Sequence, residues 1–226
     1  MSNLIEYIKQ TKKENNFDIE GISVFVDLEN TNKLNYRMVI EKMVSSLPRH
    51  LYKGLEKIII SPHEKLQKRD LQGMYKNKNI YLTGLQPNEP EILDDLIHEV
   101  SHYVEEIYKE QIYSDGKIKE EFLRKRKNLK NLLKRSGYDV RAYNFQNEKY
   151  NVEFDQYLYL KVGYKNLGVI SSNIFYSPYA ATSLGEYFAN GFEAFYMREE
   201  VNKLKKISPI LYKKIVFLNN GGEKNV

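Results

Sequence analysis

Residues 94–106 read DDLIHEVSHYVEE, with His98 and His102 four apart and Glu99 directly after the first. On an α-helix, positions four apart differ by about 40° in direction and about 6 Å in height. Two imidazoles so placed can approach one metal ion from a single face, at about 2.0–2.1 Å each. Glu99 is too close to His98 in sequence to ligate beside both histidines, but it can take a proton from a water at the ion. Ile97 and Val100 flank the set, so part of this helix should be buried. Two imidazoles and a carboxylate buried with no metal would be costly to leave unpaired. The chemistry indicated is metal-assisted hydrolysis.

A catalytic zinc needs a third protein ligand. The stretch GEYFANGFEAFY, residues 185–196, offers Glu186 and Glu193, seven apart and so on one helix face. Either carboxylate could reach the ion. Asn190 stands between them, four residues after Glu186, where its side-chain oxygen could accept the free N–H of a ligand histidine. The plainer alternative for Asn190 is a surface amide. Tyr179 precedes Glu186 by seven residues across a loop containing Ser183 and Gly185, and this favours Glu186.

His98-Glu99-x-x-His102, a helix opening Glu186-Tyr187-Phe188-Ala189, and a tyrosine seven residues earlier together resemble the peptidase domain of anthrax lethal factor and the related Pro-Pro endopeptidases. The resemblance covers about residues 22–106 and 176–200. It implies one Zn²⁺ per chain held by His98, His102 and Glu186, with Glu99 as general base and Tyr179 stabilising the oxyanion. It also implies a zincin-type fold. The chain departs from the pattern in two places. Asn190 stands where that family usually carries an acidic residue, and residues 107–175 form a longer helical interval. SPYAATSLGEYFANGFE additionally resembles peptidase-like proteins encoded in bacteriophage genomes.

The elements that must position these groups follow from periodicity. Residues 1–20 read as a short polar helix and a turn. GISVFVDL (21–28) alternates Ile22, Val24, Val26 and Leu28 as a strand does. Leu34, Met38, Val39, Met43 and Leu47 have helical spacing, ended by Pro48. LEKIIISP (55–62) reads as a buried strand, and QGMYKNKNIYLTG (72–84) as two short strands about an Asn/Lys turn. An exposed edge there would accept an extended substrate. Beyond the histidine helix, helices are expected over 114–137, 151–164, 184–204 and 208–220, with 168–183 irregular and the tail disordered. The fold class is α+β: a small twisted sheet packed on the active-site helix, then a mostly helical lobe. The whole is read as a single metallopeptidase domain over 1–226, with lobes of about 1–106 and 107–220.

Composition narrows the classes further. The chain has 226 residues, 42% hydrophobic and 29% charged, with net charge +5, which is ordinary for a folded domain. Its lack of cysteine excludes disulfides and thiolate zinc sites. No segment reads as a signal peptide or membrane span, so a cytoplasmic protein, or one exported without a cleaved leader, is expected. The helix 117–135 carries nine Lys and Arg, read as a solvated face rather than a nucleic-acid site. His50 and His63 read as surface residues. The function indicated is a zinc endopeptidase acting on protein or peptide. The competing class is a catalytically silent zincin scaffold, a binding or structural component of a larger assembly such as a phage encodes.

Overall fold

The computed structural model describes residues 16–62, 66, 71–197 and 201–222. The expected helix within residues 1–15, His63 and residues 223–226 lie outside these. The chain divides into two compact units, Met1–Val104 and Glu105–Val226. The architecture is α+β, with a mixed five-stranded sheet in the first unit and helices throughout the second.

In β2 (Ile22–Val26) alternation decides the pleat: Ile22, Val24 and Val26 are buried while Phe25 faces out. Asn16–Ile19 is a strand, β1, antiparallel to β2, where sequence suggested helix and turn. Leu28 lies past the strand and is exposed. Helix α1 (Tyr36–Ser46) is capped by the Asn35 side chain, which accepts from Met38 N. It buries Tyr36, Val39, Ile40 and Met43, and leaves Met38 out. The apolar stripe is therefore shifted from the expected one.

β3 (Lys57–Ile60) runs parallel to β2 and to β5 (Asn79–Leu82), and β4 (Gly73–Lys76) folds back antiparallel on β5. The turn between β4 and β5 places Asn77 and Lys78 at φ of 50° and 61°. Both central residues being left-handed is what a tight two-residue hairpin of matching twist requires. The sheet order is β1-β2-β3-β5-β4, so β4 ends it. Ile58, Ile60, Ile80 and Leu82 are fully buried at its centre, each worth about 1.5–3 kcal/mol of apolar burial.

Helix α2 (Glu89–Ile107) begins where Asn88 accepts from Glu91 N. It buries Ile92, Leu93, Leu96, Ile97, Val100 and Val104. The Tyr103 ring meets Tyr75 of β4 edge-on, centroids 6.1 Å apart. This ties α2 to the sheet's last strand.

The second unit comprises α3 (Lys109–Tyr113), α4 (Lys117–Arg135), α5 (Val152–Gln156), α6 (Tyr164–Ser171), α7 (Leu184–Met197), α8 (Val201–Ile207) and α9 (Pro209–Asn219). α4 ends as its Gly predicts: Gly137 is left-handed, and Tyr138 N donates to Leu133 O, closing the helix. Residues 168–171, expected to be irregular, continue α6, with a 3₁₀ turn at Tyr179–Ala181. The local sequence is weakly helical; packing of Leu167 and Ser171 into the core settles it.

Two of the nine basic residues of α4 are not a solvated face. Lys125 and Arg126 are buried. Lys125 Nζ donates to the carbonyls of Ile174 and Ile207, and burial lowers its pKa to about 8. Arg126 donates to Ala181 O at 2.6 Å and Thr182 O at 3.2 Å, with its guanidinium 3.9 Å from the Phe154 ring centroid. Glu121, also buried, accepts from Tyr187 Oη and from the N–H groups of Ile210 and Leu211 at the start of α9. Burial, then the Glu121 charge, pushes the Tyr187 phenol well above its usual pKa, so it stays a donor. The seven other cations of α4 leave room for the solvated reading; these two are struts. Arg126→Ala should lower unfolding free energy by about 2–4 kcal/mol, since it strips two buried carbonyls of a charged donor. Arg124→Ala, at an exposed position, should change it by less than about 0.5 kcal/mol. Denaturant midpoints of the two variants check this; equal effects would return Arg126 to the surface class.

Candidate metal centre

His98 and His102 sit in the second half of α2, one turn apart, both partly buried. Their rings stand at 78° with centroids 5.2 Å apart, so one nitrogen of each can be turned to a common point. Glu186 lies in the first turn of α7, where Ser183 Oγ accepts from Glu186 N at 3.1 Å. Ser183 thus caps the helix three residues before the carboxylate. Among the described residues, one ligand atom each from His98, His102 and Glu186 lie within 4.8 Å of one another. That group contains Glu186 and not Glu193, which sits two turns further along α7.

The donor set tests which ion fits. Two imidazole nitrogens and one carboxylate oxygen do not suit calcium or magnesium, which take oxygen ligands. They suit a borderline ion with open positions: zinc in hydrolases, or non-haem iron in a facial triad. Three donors at this separation could all reach one ion, and the residues present fit it.

Glu99 is 7% exposed and lies outside the donor group. Its carboxylate packs over Gly73 of β4: a Cβ built on Gly73 would fall 2.8 Å from Glu99 Oε1 and 2.9 Å from its Cγ. Tyr179 stands in the 3₁₀ turn before α7, partly buried, its ring edge-on to Tyr164 with centroids 6.4 Å apart. His50 is partly buried in a 3₁₀ turn of the first unit.

Asn190 is neither a surface amide nor a partner of an imidazole. It is 4% exposed; its oxygen accepts from Ser177 Oγ, and its Nδ2 donates to Glu186 O at 3.0 Å. Ser177 Oγ in turn accepts from Ala180 N. Asn190 therefore ties the turn bearing Tyr179 to the helix bearing Glu186. Arg126 holds the next two carbonyls of the same segment. Neither strut was legible in the sequence. The signal available was only that a buried-face position of α7 carries an amide, four residues from Glu186.

Compared with protein-family models, curated proteins and solved structures, the chain shows no match. The functional case rests on the site itself.

Proposed function

We propose that this chain is a zinc-dependent endopeptidase. The observation that carries the reading is the convergence of His98, His102 and Glu186 donor atoms within 4.8 Å, drawn from two helices remote in sequence. Those three side chains would hold the ion. Zinc bound there would polarise a scissile carbonyl and lower the pKa of water. Glu99, beside His98 and outside the donor group, takes a proton from the attacking water and delivers it to the leaving amine. Tyr179 donates its phenol O–H to the oxygen on which negative charge develops. Among the described residues β4 is the end strand of the sheet, and an extended peptide would lie alongside it. A depression of about 550 Å³ lined by Tyr113, Tyr150, Ser183, Leu184 and Gly185 begins one residue from Glu186, and would take a substrate side chain.

Two measurements test this reading together: elemental analysis of the purified protein, and digestion of a peptide library. Zinc with peptide cleavage supports it. Zinc with no cleavage of any peptide favours the silent scaffold, and iron in place of zinc moves the site to oxygen chemistry.

Tyr179→Phe removes one donor to the developing oxyanion and should lower kcat by about 10²-fold or more. KM and metal content should hardly move, because that donor acts in the transition state. Tyr176→Phe, whose ring lies under Lys203 Nζ at 5.1 Å, is the matched control and should be nearly silent. Wild-type kcat in Tyr179→Phe would make this phenol packing only.

A further inference from the structure

We propose that Gly73 is a positioning residue: its missing side chain is the seat that fixes the Glu99 carboxylate. This rests on the peptidase reading for its kinetic consequence, though not for its geometry.

Successive side chains along a strand alternate faces, so Gly73 and Tyr75 share one face of β4. On α2, Glu99 and Tyr103 are one turn apart and share one face. The two faces meet. Tyr75 packs edge-on against Tyr103, centroids 6.1 Å apart, which sets the spacing between strand and helix. At the neighbouring position the same spacing leaves no room for any side chain on the strand. A methyl group at Gly73 would sit 2.8 Å from Glu99 Oε1, 2.9 Å from Glu99 Cγ and 3.0 Å from Leu82 Cδ2. Gly73 and Leu82 are register partners of the β4–β5 ladder, and Leu82 is fully buried. The Glu99 side chain thus lies over that cross-strand pair, with backbone beneath it.

No backbone demand explains a glycine here. Gly73 is absent from the left-handed positions of the chain, which include Gly21, Gly84 and Gly137. In a strand of ordinary conformation glycine weakens the structure relative to residues with a side chain. It is retained where another group must approach closely, and the approaching group is the proposed base. A general base works only at hydrogen-bond reach of its proton, and misplacement by about 1 Å can cost about 10²-fold.

Gly73→Ala tests the seat in two independent ways. In the peptide assay kcat should fall by about tenfold or more, with KM and zinc content within about twofold of wild type. In thermal melts of the metal-free chains, Gly73→Ala should lower Tm by about 3 °C or more when Glu99 is present. The same substitution made in Glu99→Ala should leave Tm unchanged or raised, because the crowded side chain is gone. Equal Tm losses in both backgrounds would show that the methyl clashes with Leu82 or the ladder and would overturn the proposal. So would an unaltered kcat. If the wild-type chain cleaves no peptide, the peptidase reading falls, while the melting cycle still decides whether Gly73 seats Glu99.

Discussion

Glu99→Gln is expected to abolish peptide turnover while leaving the chain loaded with about one metal ion. The substitution keeps the shape of the side chain and its place over Gly73, but an amide accepts no proton. General-base catalysis contributes about 10²–10⁴-fold, so a loss of that order is expected in kcat. Metal content should stand, because the candidate donors are His98, His102 and Glu186. Activity kept above a few per cent would remove Glu99 from the mechanism, however well its position suits the role. Loss of metal along with activity would instead mean that Glu99 helps to hold the ion.

The second large effect concerns the carboxylate donor. Glu186→Ala should weaken zinc binding by more than about 100-fold. Even residues that only orient ligands cost about 10–100-fold when changed, and Glu186 is one of three candidate donors. Glu193→Ala should leave affinity within about threefold, since that residue lies outside the donor group. Competition with a chromophoric chelator reads both. A reversal of the two outcomes would dismiss the Glu186 assignment and, with it, the role given to Tyr179, which was placed by its spacing to Glu186.

The parts of this protein legible in its sequence are those set by local rules. The histidine pair needed only helical period, and the β4–β5 hairpin only the turn chemistry of Asn77 and Lys78. Gly137 announced the end of α4. Spacing along α7 offered Glu186 and Glu193, with Tyr179 favouring Glu186, and Glu186 is the one in the candidate donor group. Long-range partners decided the rest. Residues 16–19, brief and only half apolar, become a strand because β2 offers an edge to pair with. Arg126 and Lys125 look like solvent-facing cations until the carbonyls of 174, 181, 182 and 207 are folded around them. A charged side chain can be core wherever backbone acceptors replace its water, and nothing in the run KIKEEFLRKRKN marks which two positions those are. For Asn190 the sequence left a partner of an imidazole and a surface amide both open; Ser177, thirteen residues back, claims its oxygen instead.

The struts at Arg126 and Asn190 bear on what metal binding costs. Ser177, Ala181, Thr182 and Glu186 are each held by a side chain of the helical unit or by one another, and Ser183 fixes the first turn of α7. Ordering a backbone residue costs about 1–2 kcal/mol, so a slack segment of this length would consume much of the binding energy of an ion. Here folding has already met that entropy. An ion held at Glu186 would meet backbone already ordered, so that coordination energy could appear as affinity rather than as induced order.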